Sequence, residues 1–395
     1  MKKTLLIISN GYPHKNWQVN STFVKAQIDV IKEHFRKVIV IVQTPYFPKL
    51  LNKVKKIPEL YKNYSKLSDY KYDNVEVYYA RYLSLPEGYF NDFRGESCYK
   101  AISKCIKKNN IEFDLIHSHF IWISGYVAVR LKTDFNKKVV VTGHGFDVYD
   151  LPFRDVYWYN KIRNILKGVD KIMTVSERNN SCLKQLFFDN SMVLTNGFDS
   201  NKFRYMHNKK ELKKTLGVDL NKKILLHVGN LVKIKNHTNL LNAVNVLKTK
   251  RKDFILYLVG DGVEKQNILN KIKKLQLEKF VKVIGPKPHD EIPLWMNVAD
   301  LFILPSFKEG NPTVMFECLG CGTPYIGTDV GGVKDVIKNT NYGYIYDDPN
   351  NYNTLSELIN IGLHKKWNTK QILNYAKKYA WQNIAKKLLK VYNEL

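Results

Sequence analysis

The amino-acid sequence predicts an α/β protein made of two doubly wound parallel-sheet domains. Three observations carry that prediction. The chain has 395 residues, more than one hydrophobic core usually covers. Short apolar runs alternate with helical patterns from end to end, the signature of βαβ units. The alternation then starts again beyond a polar, lysine-rich stretch at residues 203–223, which places a domain boundary near residue 200.

In the first half, the apolar runs 4–9 (TLLIIS), 38–42, 115–118, 139–142 and 171–175 read as strands, and 23–33, 125–131 and 178–186 as helices. In the second half, 223–228, 254–259, 281–284, 301–304 and 325–327 read as strands, with helices at 237–249 and 264–275. In open parallel sheets, ligands bind beyond the carboxyl ends of the strands. The informative residues therefore follow the strands: Asn10-Gly11, His119, His144-Gly145, Ser176, Gly229-Asn230, Gly260-Asp261-Gly262 and the loop from Ser306 to Asn311.

Composition bounds the function. Apolar and charged fractions of 44% and 25% are those of an ordinary globular protein, but 63 Lys and Arg against 36 Asp and Glu give a formal charge of +27. Such a field favours phosphorylated ligands, anionic lipid surfaces or polyanions, which keeps nucleic acid among the alternatives. Against it, the basic residues spread along the whole chain instead of gathering on one tract. Five cysteines at irregular spacing predict neither a disulfide framework nor a zinc site. Cys318 and Cys321 form a C-x-x-C, yet within an apolar segment they read as two small buried residues. The opening apolar run is too short for a signal peptide, and no segment is long enough to span a membrane, so a cytoplasmic protein is expected. Residues 45–72 interleave lysines with Leu, Val, Ile and Tyr, a mixture that suits either a solvated loop or contact with an anionic membrane.

The sharpest chemical signal is the segment SFKEGNPTVMFECLGCGTPY from Ser306 to Tyr325. Asn311 followed by Pro312 predicts a helix capped by Asn311 with Pro312 as its first residue. The loop Glu309-Gly310-Asn311 would then be a helix N-terminus at the mouth of a parallel sheet, a place that binds phosphate. Glu317 lies about one and a half turns further along, among apolar neighbours, where a carboxylate suits a vicinal diol such as a ribose. Lys235, six residues after Gly229, can neutralise a diphosphate. Gly260 and Asp261 read as a turn first and a binding loop second. His119 and His144, each after an apolar strand, with Asp147 close behind, are candidates for hydrogen bonding a polar ligand. No D-x-D sequence occurs, so a carboxylate-held metal on the diphosphate is not expected.

These residues resemble a known family. The E-x7-E spacing from Glu309 to Glu317, inside SFKEGNPTVMFECLGCGTPYIGTDVGG, is similar to that of retaining glycosyltransferase family 4, also called glycosyl transferases group 1. VGNLVKIKNH, LVGDGVEKQNI, MNVADLFILPS, TVSERN, LTNGFD followed by Phe203, TGHGFD, ISNGYPHKNWQVNSTFVKAQ and YAWQNIAKKLLKVY support the likeness, which runs through nearly the whole chain. The resemblance implies a GT-B fold, with two Rossmann-like domains facing a cleft. Residues 1–200 would bind the acceptor, residues 201–375 the nucleotide sugar, and a C-terminal helix at about 376–395 would pack back onto the first domain.

It also implies roles. His144, Glu309 and Lys235 would be the catalytic residues, His144 from the acceptor side and Glu309 facing the transferred sugar. Asn230, Lys235, Gly260, Asp261, Gly310, Asn311, Pro312, Thr313 and Glu317 would bind the donor, and Asn10, Gly11, His119 and Asp147 would lie on the acceptor side. Most relatives carry arginine where this chain has Asn230, so more of the diphosphate charge would fall on Lys235 and the helix N-terminus. The implied reaction moves a sugar from a nucleotide diphosphate, a UDP-sugar above all, to a glycan or lipid-linked acceptor. It would need no metal or other cofactor, would bind no nucleic acid, and would take place at the cytoplasmic membrane face. A phosphorylase or sugar-nucleotide epimerase of the same fold, and a binding subunit without activity, are the competing readings.

Overall fold

A computed structural model describes residues 2–15, 21–46, 64, 66–84 and 90–395. The chain divides into two compact units, Met1–Leu194 together with Ala385–Leu395, and Thr195–Ile384.

The first unit holds an eight-stranded sheet: β1 (Thr4–Ser9), β2 (Lys37–Tyr46), β3 (Tyr70–Tyr72), β4 (Val75–Leu83), β5 (Leu115–His119), β6 (Lys138–Gly143), β7 (Lys171–Thr174) and β8 (Ser191–Val193). Their order is β3-β4-β2-β1-β5-β6-β7-β8, and every pairing is parallel except β3 with β4. β1 sits in the middle, and each of its residues is buried, as the LLII run requires of a strand covered on both faces. β4 and the helix Asn91–Lys108 were not among the expected elements. β4 interrupts its apolar alternation with tyrosines, yet Val75, Val77, Ala80 and Tyr82 face inward while it pairs with β2 in register from Val38↔Val75 to Tyr46↔Leu83. The helix buries Cys98, Ile102 and Ile106, spaced four apart on one face.

The second unit holds a six-stranded, fully parallel sheet: β9 (Lys223–Val228), β10 (Phe254–Val259), β11 (Val281–Gly285), β12 (Leu301–Leu304), β13 (Tyr325–Thr328) and β14 (Gly343–Tyr346), in the order β11-β10-β9-β12-β13-β14. Alternate residues feed two cores. Ile224, Leu226, Val228, Tyr257 and Val259 pack on one face. Leu225, Leu256 and Leu258 pack on the other with the helix His237–Lys250. Each such side chain contributes roughly 1.5–3 kcal/mol by leaving water. The stretch 203–223 lies wholly within this unit: Phe203 is a core residue, and Lys209–Thr215 is a helix. The period-3.6 signal there is short and almost wholly charged, which disguised it as a linker.

The helix Trp381–Asn393 ends the chain, and residues 385–395 group with the first unit. There the Tyr392 hydroxyl lies 2.6 Å from His117 Nδ1, and its ring meets Phe35 edge-on at 5.8 Å.

Candidate active site

The second unit gathers the charged candidates. β9 ends at Val228, and the chain turns through Gly229 into a single 3-10 turn, Lys233–Lys235. Gly260, after β10, has φ +147°, and a side chain there would stand 1.9 Å from the Gly229 carbonyl oxygen, so only glycine lets these two strand ends meet. Asp261 turns outward, pairing with Lys265 at 3.5 Å, while its carbonyl accepts the Leu231 N–H at 2.9 Å. Asn230 is exposed.

Phe307 N–H donates to the Ile234 carbonyl at 2.8 Å and ties the Lys235 turn to the loop after β12. On that loop, Lys235 Nζ donates to Glu309 Oε1 at 2.7 Å, with both side chains mostly buried at 18% and 13% exposure. The two residues read separately from the sequence are thus partners, and any anion that takes up the ammonium competes with Glu309. Two glycines that sequence reasoning assigned no role brace this loop. Gly332 N–H donates to the Gly310 carbonyl at 2.9 Å. A side chain on Gly331, at φ +57°, would stand 2.3 Å from the Glu309 carbonyl oxygen.

The helix that follows starts one residue later than expected. It spans Thr313–Gly320, with Pro312 in the cap position in an extended conformation and no side-chain cap, so Asn311 does not cap it through Pro312 as first residue. Asn311 instead is buried, with its carbonyl accepting from Asn196 Nδ2 at 2.8 Å. Proline cannot donate, and the first bond along the helix runs from Met315 N–H to the Pro312 carbonyl at 3.1 Å. The earlier amides lack an intrahelical acceptor, as in any helix, and carry the positive end of the dipole.

Glu317 is 7% exposed, among Met315, Phe316, Cys318 and Leu319, which are fully buried. Its Oε1 lies 3.3 Å from His289 Nε2. His289, on the loop after β11, escaped the sequence reading, although the strand-end rule that singled out the other loops applies to it equally. Cys318 and Cys321 are free, and burial pushes both thiols up, as befits packing residues instead of a redox pair.

The first unit assembles a different cluster. His119 Nδ1 and His144 Nε2 are 3.0 Å apart, with the rings stacked at 5.2 Å. Phe23 and Phe120 lie against His144 with centroids at 4.7 and 4.8 Å. Burial lowers His119 to about 3, and burial together with His119 holds His144 well below its ordinary value, so both stay neutral near pH 7. His117, next to them, is fixed by Tyr392 at one nitrogen and by Thr142 Oγ1, 2.8 Å away, at the other.

Asp147 does not face a ligand as an acceptor-side residue was expected to. It is 1% exposed, and its oxygens accept the backbone N–H groups of Ile121 (2.8 Å), His144 (3.1 Å) and Gly145 (2.9 Å). It shapes the turn that carries His144. Asn10 is similarly committed: its Oδ1 accepts from Gln43 Nε2 and from Ser124 Oγ at 2.9 Å. Gly11 N–H contacts the Ser9 hydroxyl at 3.4 Å.

Of residues 45–72, positions 47–63 and 65 lie outside the described residues, and with them most of the expected membrane contact. Among the described residues, no helix is long and apolar enough to cross a membrane, and no group of three or more His, Cys, Asp and Glu side chains is placed to hold a metal ion.

Two parallel-sheet α/β domains, the second carrying an E-x7-E loop and helix after its fourth strand, define a GT-B glycosyltransferase. Residues 208–379 match the family described as Glycosyl transferases group 1, and residues 61–202 match Glycosyltransferase Family 4. By these two matches together the chain is a glycosyltransferase of the group 1/family 4 type. It is 27% identical over 357 residues to a putative teichuronic acid biosynthesis glycosyltransferase, TuaC, of Bacillus subtilis, covering 90% of this chain and 88% of that one. It is 27% identical to an Escherichia coli UDP-Gal:alpha-D-GlcNAc-diphosphoundecaprenol alpha-1,3-galactosyltransferase, over 71% of this chain and 73% of the other. Among solved structures, sucrose-phosphate synthase from Thermosynechococcus elongatus superposes with a TM-score of 0.80 at 18% identity, covering 100% of this chain and 99% of that one. Anabaena HepE in complex with UDP superposes with a TM-score of 0.75 at 18% identity, covering all of both chains.

Proposed function

We propose that the protein is a retaining, metal-independent glycosyltransferase that moves a sugar from a UDP-sugar to a glycan or lipid-linked acceptor in the biosynthesis of a cell-surface polysaccharide or glycoconjugate. The second domain binds the donor and the first binds the acceptor. The observation that carries this reading is the Lys235–Glu309 pair, held at 2.7 Å beside the N-terminus of the helix Thr313–Gly320, with Glu317 buried on the same helix.

A diphosphate meets two positive elements there, the Lys235 ammonium and the first helix amides. Glu309, released from Lys235, is free to accept hydroxyls of the transferred sugar. Glu317 presents a desolvated carboxylate suited to the ribose diol. The bond between the anomeric carbon and the phosphate oxygen breaks through an oxocarbenium-like state, and the charge growing on the departing phosphate is met by Lys235 and the amides. The acceptor hydroxyl attacks the same face and gives its proton to the leaving phosphate, which preserves the anomeric configuration. On the acceptor side, His144 stays neutral and acts through hydrogen bonding, with His119 orienting it and Asp147 shaping its turn.

The UDP donor and lipid-linked acceptor draw support from relatives: the Escherichia coli enzyme is described as acting from UDP-Gal on a diphosphoundecaprenol-linked sugar, and HepE has been crystallised with UDP-glucose. A charge of +27 suits an anionic lipid carrier at the cytoplasmic membrane face, with residues 45–72 as the contact segment. The test is to supply a UDP-sugar with and without a lipid-linked acceptor, in the presence of a chelator. UDP release that requires the acceptor, persists with chelator and yields an α-linked product from an α-configured donor supports the proposal. Release without acceptor, loss of activity in chelator, or an inverted product contradicts it.

A further inference from the structure

The surroundings of Glu317 contain a relay that the family likeness does not assign. His289 Nε2 lies 3.3 Å from Glu317 Oε1, and Lys202 Nζ lies 3.3 Å from His289 Nδ1. Lys202 is itself paired with Asp290 at 2.5 Å, and the His289 ring meets Phe203 edge-on at 5.2 Å. The donor inventory fixes the direction of these bonds. An ammonium only donates and an ionised carboxylate only accepts, so Nδ1 must carry the lone pair and Nε2 the hydrogen. The two contacts thus hold the imidazole in one tautomer, whose Nε2–H donates to one oxygen of Glu317. That oxygen, being taken, orients the carboxylate and leaves the other for a ligand.

We infer that His289, aligned by Lys202, is a positioning residue for the donor nucleotide, setting Glu317 to read the ribose hydroxyls. This rests on the donor-binding reading above and deepens it. His289 acts through Glu317, so its effect falls on nucleotide affinity and ribose discrimination, with little effect on kcat. Its side chain is 45% exposed on a loop, so its replacement should leave the fold intact.

The test is calorimetric titration of wild type, Glu317→Gln, His289→Ala and His289→Gln with UDP and with 2′-deoxy-UDP. Wild type is expected to prefer UDP by about tenfold, the worth of one charge-assisted hydrogen bond. Glu317→Gln should lose most of that preference. His289→Ala should reduce it to about threefold or less, while His289→Gln, whose amide N–H can replace Nε2–H, should restore it. A residue with only a structural role would weaken both nucleotides equally and leave the ratio unchanged. If Glu317→Gln loses the preference but His289→Ala keeps it, the inference about His289 fails while the donor reading stands. If wild type shows no preference, or Glu317→Gln keeps it, the ribose reading fails and the inference with it.

Discussion

The first domain surrounds its candidate residues with packing that keeps three imidazoles uncharged, His117 and His119 buried and His144 half-buried, beside two phenylalanines and a carboxylate satisfied by backbone N–H groups. The second domain instead pairs acidic and basic side chains after its strands, with Lys235 on Glu309 and, on the helix that follows, Glu317 beside His289. Both sets follow the ends of parallel strands, so the shared topology does not account for the contrast. The chemistry of the proposed ligands does. A neutral acceptor hydroxyl is best oriented by groups that stay uncharged, because a buried charge would demand its own partner. A diphosphate carries its charge in and is best met by one that can change partners.

The largest effect that would sharpen this contrast is on stability against pH. His117, His119 and His144 are held below their ordinary pKa of 6.5 by burial, so the folded state resists a proton that the unfolded state accepts. Stability is therefore full above about 6.5 and declines as pH falls below it, down to about 3 for His119. Between pH 6.5 and 5.5 each imidazole accounts for about 1 kcal/mol, or about 3 kcal/mol for the cluster. His227 and His237, lowered in the same way, give the second domain about two thirds of that loss. Denaturant unfolding at the two pH values measures it, and a flat profile would mean that the cluster is hydrated and charged.

The next effect is on catalysis. Lys235→Ala removes the ammonium and leaves Glu309 buried without its partner, so kcat/KM should fall about a hundredfold, or ~2.7 kcal/mol. Steady-state kinetics with a UDP-sugar would break the contrast if the variant kept wild-type activity. The smallest effect is Tyr392→Phe, which deletes the hydroxyl 2.6 Å from His117. It should cost about 1 kcal/mol of stability by thermal unfolding and leave KM for the donor unchanged.

Much of this architecture could be read from residues alone, and the omissions have physical causes. Continuous apolar runs such as Leu5 to Ile8 announce a strand buried on both faces, and nine further strands were found by the same signal. β4 hides its alternation behind tyrosines, and β14, GYIY, is too short to show a period. The helix Lys209–Thr215 buries little, so its lysines read as a linker. In the site, residue types and order in the chain showed Lys235, Glu309 and Glu317, but partners are a tertiary fact. Nothing local tells that Lys235 meets Glu309, or that Asp147 spends its carboxylate on Ile121, His144 and Gly145. The helix start shifted because Pro312 adopts an extended conformation, placing it before the helix instead of within it.

The most direct test of the central claim, that the Lys235–Glu309 loop and Glu317 grip a nucleotide sugar, is a thermal-shift titration with UDP-, GDP- and ADP-sugars on wild type, Lys235→Ala and Glu317→Ala. A ligand at a hundred times its Kd stabilises the native state by about 2.7 kcal/mol, a rise easily measured. The account predicts that a UDP-sugar raises the melting point of wild type and that both substitutions abolish most of the rise. A wild-type protein indifferent to all three donors, or a rise that survives both substitutions, would contradict it.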